Sequence, residues 1–311
     1  MAQIAFIFPG QGAQYIGMGK EIIQEFASAN AIFNKASEAL GFDIKEMIFN
    51  GDEDTLKITE NTQPAILTTS IACMQPLLEE GIKPSVAAGL SLGEYSAHVA
   101  AGTFIFEDAV RLVRKRGKYM QEAVPVGVGT MAAIIGLDRQ DVLDCCKIAS
   151  YDGVVEPANF NCPGQIVVAG HIPAVQKVIE LAEEKGAKRS MILPISAPFH
   201  CSLLKKAGEN LAIEFEKIEV NEINIPIVSN VTADYIKSDK EVKGILIKQV
   251  TSPVYWEDSI NKMIAEGIDT FIEIGPKKVL GGFVRKINKD VKVLNVEDID
   301  SLNKTIKDLS V

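Results

Sequence analysis

Short apolar runs alternate with longer amphipathic segments along the chain, a pattern typical of parallel strands separated by helices. Residues 3–8 are almost wholly apolar and end at Pro9-Gly10, which predicts a buried strand. Residues 85–88 predict a second strand, and residues 92–101 after it are compatible with a helix. A further helix is expected to begin within residues 61–65, where polar residues precede a proline and an apolar run. Additional strands are predicted at 225–228, 270–274 and 291–296.

The middle of the chain has a periodicity of its own, in the order strand, helix, strand, strand, helix, strand. The strands are predicted at 130–135, 154–158, 165–169 and 189–195, and the helices at 138–149 and 173–185. This βαββαβ order is typical of a ferredoxin-like unit. We therefore expect residues 127–196 to form a small ferredoxin-like domain inserted into a larger body made of residues 1–126 and 197–311. A ligand is expected in the cleft between the two.

Composition and charge narrow the possible partners. The 311 residues carry 32 Lys and Arg against 41 Asp and Glu, so a net charge of −9 disfavours nucleic acid. The five cysteines are odd in number and include no C-x-x-C pair, which indicates neither a disulfide framework nor a structural metal site. The first residues lack a basic leader and no apolar run approaches about 18 residues, so no membrane association is expected. A cytoplasmic protein is predicted.

A serine nucleophile is indicated by Gly89-Leu90-Ser91-Leu92-Gly93, which matches G-x-S-x-G. The glycines allow a sharp turn between a strand and a helix, and that turn exposes the Ser91 hydroxyl. The predicted strand before the motif and the predicted helix after it supply this context, and the helix start offers N–H groups to an oxyanion. This context predicts an α/β-hydrolase-like core. The alternative is a tight turn that happens to contain serine.

A serine nucleophile needs a base, and the chain has three histidines. His98 lies on the helix that follows the serine, and His171 lies at a predicted turn. His200 follows the return from the inserted domain, where a loop is expected to run along the cleft. We therefore favour His200 as the base, with a hydrogen-bonded structural loop histidine as the alternative.

Arg116 lies in the middle of the apolar stripe of a helix predicted over residues 107–121. An unpaired guanidinium in the interior is costly, so Arg116 is expected to meet an anion. Two partners are possible at this point. One is a buried Asp or Glu in a structural salt bridge, and the other is a substrate carboxylate held in bidentate geometry.

The glycine-rich stretch after the first strand matches no nucleotide loop. G-x-G-x-x-G would require glycine where Tyr15 stands, and the P-loop spacing would require glycine where Gln14 stands. What remains is a turn at a strand end that can bring a backbone N–H close to Ser91 and so complete an oxyanion hole.

These motifs and their order resemble the malonyl-CoA:acyl carrier protein transacylases over almost the whole chain. The matching segments are FPGQGAQYIGMG ending at Gly19, NTQPA at 61–65, GLSLGEYSA at 89–97, RGKYMQ at 116–121, ANFNCPGQIVVAG at 158–170, PFH at 198–200, SNVTA at 229–233, QVTSPVYW at 249–256 and EIGPKKVL at 273–280. The resemblance implies transfer of a malonyl group from malonyl-CoA to the phosphopantetheine thiol of an acyl carrier protein. No metal or redox cofactor is implied, and a monomer is favoured.

The resemblance also implies residue roles. Ser91 would be acylated, His200 would act as base, and Arg116 would hold the malonate carboxylate. The backbone N–H groups of Gln11 and Leu92 would form the oxyanion hole. The main-chain carbonyl of Gln249 would orient the histidine. Asn159 and Asn161 would lie near the entrance for the pantetheine arm.

Three positions modify this expectation. Leu90 stands where the family usually has histidine, and Lys277 stands where many members have glycine. Phe199 resembles the malonyl-selective version of the motif before the histidine. Fatty acid synthesis is the expected pathway. The alternatives are a discrete polyketide-synthase acyltransferase, an acyl hydrolase that uses the same Ser-His pair, and a non-catalytic scaffold.

Overall fold

The computed structural model describes residues 3–195 and 197–309. Within these ranges the strands are β1 Ile4–Phe8, β2 Val86–Gly89, β3 Gly129–Ile135, β4 Val155–Cys162, β5 Gln165–His171, β6 Arg189–Ile192, β7 Thr270–Ile274 and β8 Lys292–Val296. The α-helices are α1 Lys20–Glu25, α2 Ala27–Leu40, α3 Ile44–Phe49, α4 Glu53–Lys57, α5 Thr59–Glu79, α6 Leu92–Ala100, α7 Phe106–Glu122, α8 Arg139–Ala149, α9 Ile172–Glu184, α10 Lys205–Phe215, α11 Asp239–Gln249, α12 Trp256–Ala265, α13 Val279–Ile287 and α14 Ile299–Leu309.

The larger body is built on a parallel sheet of order β2-β1-β7-β8, as the alternation of strands and helices predicts. Strand β1 is buried on both faces because helices cover both sides of the sheet. Phe6 and Phe8 pack into the larger core cluster, while Ala5 and Ile7 pack into a separate cluster that contains Trp256. Strands β1 and β2 are parallel, so both end at the same edge of the sheet, and helix α6 begins there after β2.

A second, antiparallel sheet of order β4-β5-β3-β6 carries α8 and α9, and the predicted order of strands and helices is confirmed. The largest differences from the predicted boundaries are in two strands. Strand β4 continues to Cys162 through two register shifts, and Asn159 within it also bridges to Val254 of the larger body. Strand β6 ends at Ile192, two residues before Pro194, which lacks the N–H that continued pairing requires. The predicted domain limits at residues 1, 196 and 311 lie outside the described residues.

Two predictions for the larger body are wrong. Residues 225–228 form no strand, and Ile227 makes an isolated bridge to Ala87, because Pro226 cannot donate to a ladder. Helix α5 begins at Thr59 rather than within residues 61–65, since the Ile58 carbonyl already accepts N–H groups from that segment. No described helix combines enough length with enough hydropathy to cross a membrane.

Candidate active site

Ser91 occupies a sharp turn between β2 and α6 that only this glycine spacing permits. Its φ of 55° and ψ of −103° lie outside the favoured regions for a non-glycine residue. A Cβ on Gly89 would lie 1.9 Å from the carbonyl carbon of Gly93, and a Cβ on Gly93 would lie 2.1 Å from the Phe8 oxygen. The close approach of the two segments fixes the turn, and the predicted context of the G-x-S-x-G motif is present.

The structure brings Ser91 and His200 into direct contact, with 2.7 Å between the serine Oγ and the histidine Nε2. The other ring nitrogen, Nδ1, lies 2.9 Å from the main-chain carbonyl oxygen of Gln249. A carbonyl oxygen can only accept, so Nδ1 carries the proton and Nε2 accepts the serine hydroxyl. The partner that orients the ring is therefore a carbonyl, as the resemblance implies for Gln249.

Burial controls the charge of this histidine. His200 is almost fully buried, and burial, reinforced by the nearby Arg116 charge, lowers its pKa to about 4. The imidazole is therefore neutral near pH 7. A neutral ring whose free nitrogen faces a hydroxyl is arranged to accept the proton as that hydroxyl attacks.

Arg116 points into the same site, as its place on the apolar stripe of α7 predicts. The residue is 1% exposed, and its guanidinium donates to Gln63 Oε1 at 2.8 Å, to Gln249 Oε1 at 3.0 Å and to Ser91 Oγ at 3.1 Å. All three acceptors are neutral. Among the ion pairs of residues 3–195 and 197–309, Arg114 of the same helix pairs with Glu60 but Arg116 pairs with no carboxylate, so the structural salt bridge is not formed.

The loop after β1 and the start of α6 border the nucleophile. Gly10 approaches Leu90 so closely that a Cβ on it would lie 2.5 Å from the Leu90 oxygen. Leu92 is the first residue of α6, and the N–H groups of a first helical turn have no acceptor within the helix. Gln11 and Leu92 both line the cavity that contains Ser91. Both residues therefore lie beside Ser91, and their role as oxyanion donors stays a prediction.

The cavity has a volume of about 230 Å³ and lies between the two sheets. Ser91, Arg116 and His200 contribute its polar end, together with Gln63. Asn159 and Asn161 reach the cavity from β4 and are nearly buried. Most of the remaining lining is apolar, from Ala13, Leu90, Met120, Met131, Val167, Leu193, Ile195, Phe199, Val279, Leu280 and Phe283. The site thus combines an apolar approach with one cationic corner.

The two positions that depart from the family pattern border this region. Leu90 lines the cavity with an apolar side chain. Lys277 adopts a φ of 64°, the left-handed region in which glycine is unstrained, and its Nζ lies 2.9 Å from the Gly12 carbonyl oxygen. The lysine therefore connects the loop before α13 to the loop that carries Gln11.

The other two histidines lie elsewhere. His98 is fully buried with its ring 5.1 Å from that of Phe104, and burial lowers its pKa to about 3. His171 accepts a hydrogen bond from the main-chain N–H of Val154 at 3.1 Å. Neither lines the cavity. In the described part of the chain, no three His, Cys, Asp or Glu side chains lie close enough together to hold a metal ion.

Sequence reasoning missed two buried residues behind the nucleophile, Asn230 and Glu94. Asn230 Oδ1 accepts the Ser91 main-chain N–H at 2.6 Å, and its Nδ2 donates to the Gly89 carbonyl at 2.7 Å. Glu94 accepts from Gln249 Nε2 at 2.6 Å and from the Asn230 N–H at 3.2 Å. The Ser91-x-x-Glu94 spacing is that of a capping box and draws attention to Glu94, whereas nothing local marks Asn230.

Comparisons with known proteins relate this chain to one family of enzymes. The family model for the acyl transferase domain matches residues 5–310. A malonyl CoA-acyl carrier protein transacylase of Bacillus subtilis strain 168 is 48% identical over 310 residues, which cover 99% of this chain and 98% of that relative. The crystal structure of the malonyl CoA-acyl carrier protein transacylase of Clostridium perfringens is 48% identical with a TM-score of 0.97, covering 99% of this chain and 98% of that one. A malonyl-transacylase in complex with its type II PKS acyl-carrier protein is 39% identical with a TM-score of 0.96, covering 99% and 100%.

Proposed function

Because the chain belongs to the acyl transferase domain family, and within it to the malonyl CoA-acyl carrier protein transacylases, we propose that it transfers malonyl groups from malonyl-CoA to an acyl carrier protein. The observation that carries this proposal is that one serine oxygen contacts both a neutral histidine nitrogen and a buried guanidinium. A malonyl ester on Ser91 would hold its free carboxylate within a few bonds of that oxygen, beside Arg116. The site therefore suits a short acyl group with an anionic end.

Acylation uses groups already in contact. His200 Nε2 accepts the Ser91 proton as Oγ attacks the thioester carbonyl, and the developing oxyanion is stabilised by the N–H groups of Gln11 and Leu92. The tetrahedral intermediate collapses with cleavage of the C–S bond, and the imidazolium returns its proton to the CoA sulfur. Arg116 holds the malonate carboxylate throughout. The product of this half-reaction is a malonyl-Ser91 ester and free CoA.

Transfer reverses these roles. The phosphopantetheine thiol of the carrier enters along the apolar side of the cavity, where Asn159 and Asn161 offer amides to its polar arm. His200 accepts the thiol proton, sulfur attacks the ester carbonyl, and the C–O bond to Ser91 breaks as the serine regains a proton. The kinetics are ping-pong. Every step is acyl or proton transfer without a redox change, so we propose no metal or organic cofactor.

The finer description of the fold follows the same proposal. The order β4-β5-β3-β6 with α8 and α9 supports a ferredoxin-like designation for residues 127–196. The parallel sheet and the turn at Ser91 support an α/β-hydrolase-like designation for residues 1–126 and 197–311. We propose a cytoplasmic location, because the five cysteines are buried and free, as suits a reducing compartment. We also propose a monomer, which the family resemblance favours.

Fatty acid synthesis is the proposed pathway for the product. The polyketide alternative is favoured by the relative solved in complex with its type II PKS acyl-carrier protein. Comparison of kcat/KM for a fatty acid carrier and a type II polyketide carrier distinguishes the two. A preference for the polyketide carrier would replace the proposed pathway without altering the chemistry.

Intact-mass analysis after mixing with malonyl-CoA alone tests the reaction class. A transferase accumulates one malonyl adduct that persists until a carrier thiol is added, and the adduct maps to Ser91. The Ser91→Ala variant is the control and forms no adduct. Steady release of free malonate without a carrier would identify an acyl hydrolase instead. Absence of both adduct and turnover in the wild type, with Ser91→Ala indistinguishable from it, would indicate a non-catalytic scaffold.

A further inference from the structure

Glu94 is a fully buried carboxylate on α6, one helical turn after the nucleophile, and it has no part in the reaction steps above. One of its oxygens, Oε2, accepts two hydrogen bonds, from Gln249 Nε2 at 2.6 Å and from the Asn230 N–H at 3.2 Å. Both donors belong to residues that contact the catalytic groups directly. Asn230 holds the Ser91 N–H, and Gln249 holds the ring of His200.

Gln249 links Glu94 to the two groups that contact the serine oxygen. Its side-chain carbonyl accepts from Arg116 at 3.0 Å, and its main-chain carbonyl lies 2.9 Å from His200 Nδ1. The amide nitrogen lies 2.6 Å from Glu94 Oε2 and 3.0 Å from the Ser91 carbonyl oxygen. The side-chain oxygen of Gln249 thus faces a donor, and its side-chain nitrogen faces acceptors. Rotation of the amide by 180° would place its NH2 group against the Arg116 donors.

We propose that Glu94 is a positioning residue, whose carboxylate fixes the Gln249 amide and, through Gln249, holds both the His200 ring and the Arg116 guanidinium in the orientation that the reaction requires. This inference rests on the proposed function for the role of Arg116. Glu94 touches neither substrate nor the reacting atoms in the scheme above. Its effect on rate is therefore indirect, and we assign it to the 2.6 Å contact with the Gln249 amide rather than to the 3.2 Å contact with the Asn230 N–H.

The charges around Glu94 agree with this role. Burial raises the pKa of Glu94 to about 7, against the lowering effect of its hydrogen bonds from Asn230 and Gln249 and of the Arg116 charge. Burial also lowers the pKa of Arg116, and the neighbouring Tyr95 and Glu94 oppose that lowering. The Gln249 amide lies between the two side chains, so Glu94 and Arg116 form no direct ion pair. The guanidinium thereby stays free for a second anion.

A double-mutant cycle with Gln249 tests the inference. Glu94→Met keeps the approximate side-chain volume but removes the acceptor, whereas Glu94→Gln retains an acceptor without the charge. Gln249→Met removes the side-chain amide and leaves the main-chain carbonyl in place. A matched control is Glu273→Met, since Glu273 is equally buried and accepts hydrogen bonds from the N–H groups of residues 280 and 281. All variants are compared by thermal midpoint.

Two quantities are measured for each variant, a labelling rate and an adduct ratio. The first is labelling of Ser91 by a fluorophosphonate, which depends on the Ser91 and His200 geometry and not on malonate recognition. The second is the ratio of malonyl to acetyl adducts formed from equimolar CoA esters. If the wild type reacts with fluorophosphonate but never accepts malonyl, the proposed function fails, and the fluorophosphonate cycle still decides the role of Glu94.

Glu94→Met is expected to lower fluorophosphonate labelling about 10- to 100-fold, the range that small misplacements of catalytic groups produce. It should lower the malonyl preference as well, whereas Glu94→Gln should label within about threefold of wild type. In the Gln249→Met background, Glu94→Met should have little further effect. Glu273→Met should change neither the labelling rate nor the adduct ratio by more than about twofold, even where it lowers the thermal midpoint.

Wild-type labelling by Glu94→Met would overturn the inference. A full additional loss in the Gln249→Met background would overturn it too, because Glu94 would then act independently of the amide. If Glu94→Met does not fold, the test is repeated with Glu94→Asp, whose side chain is one methylene shorter and so moves the carboxylate away from the Gln249 amide. Labelling by Glu94→Asp at the wild-type rate would likewise exclude a positioning role.

Discussion

Replacing Arg116 by methionine tests how this site selects its acyl group. The guanidinium is 1% exposed and donates to Gln63, Gln249 and the Ser91 hydroxyl, so no solvent competes for it. Methionine retains an unbranched apolar stem but removes the charge and every donor. The variant therefore removes the partner of the malonate carboxylate and also one contact of the nucleophile.

The size of the effect follows from burial. Truncating one partner of a buried, hydrogen-bonded charge pair costs about 2–5 kcal/mol, which corresponds to a loss of about 30- to 5,000-fold in kcat/KM for malonyl-CoA beyond the loss that acetyl-CoA also suffers. Acetyl-CoA lacks the carboxylate and loses only what Arg116 contributes through Ser91, about 1.5–3 kcal/mol for one charged hydrogen bond. The ratio of the two rates isolates carboxylate recognition. We expect that ratio to fall by at least about 30-fold.

The assay is competition between equimolar malonyl-CoA and acetyl-CoA, read as the two adduct masses on the intact protein. Arg116→Lys is the matched variant, because it keeps the charge but loses the planar fork that contacts Gln63 and Gln249 together. It should retain part of the malonyl preference. If Arg116→Met keeps the wild-type ratio while its thermal midpoint shows that it is folded, Arg116 does not hold the carboxylate and the reasoning is refuted.

Three further predictions concern the turn, the core and the carrier. Gly93→Ala should unfold the turn and abolish activity, because its Cβ would lie 2.1 Å from a carbonyl oxygen of β1. The matched variant is Gly282→Ala on α13, whose Cβ would have no atom within 4 Å. Chemical denaturation should show that it raises the free energy of unfolding of the protein by about 0.5–1 kcal/mol. Burial lowers the pKa of His98 to about 3, so the unfolded chain takes up a proton on this side chain as pH falls below 6.5 and the folded chain does not. The wild type therefore loses about 2 kcal/mol of folding stability through His98 between pH 8 and pH 5, and His98→Leu should not show this loss. An equal loss of stability in the variant and the wild type would contradict this prediction. Charge reversal of the exposed Lys205 and Lys206, which follow the His200 loop, should weaken transfer to an acidic carrier but not loading from malonyl-CoA, and equal loss in both half-reactions would argue against docking there.

The parts of the site that sequence could predict are those specified by local pattern. The glycines around Ser91 require one turn geometry, and the helical period of α7 alone directs Arg116 inward. The place of His200 after the inserted strands favours it over the other two histidines, and the structure brings it into contact with Ser91. In each case a short segment contains the physical reason.

The remainder depends on contacts between distant segments. Asn230 is 139 residues from Ser91 along the chain, so no periodicity connects them. A capping box predicts that Glu94 accepts the Ser91 N–H, but Asn230 occupies that position and Glu94 turns to Gln249 instead. The predicted strand at 225–228 fails for a related reason, since Ile227 does reach the sheet edge beside Ala87 but Pro226 prevents a ladder.

The central claim is that one malonyl group moves from CoA to Ser91 and then to a carrier thiol within a single cavity. The most direct test loads the protein with malonyl-CoA labelled in the acyl group, removes free CoA by gel filtration, and adds holo acyl carrier protein in a rapid-quench instrument. The account predicts that the label leaves Ser91 and appears on the carrier in equal amount, with His200→Ala blocking both loading and transfer. Label that is released as free malonate, or that resides on a residue other than Ser91, would contradict it.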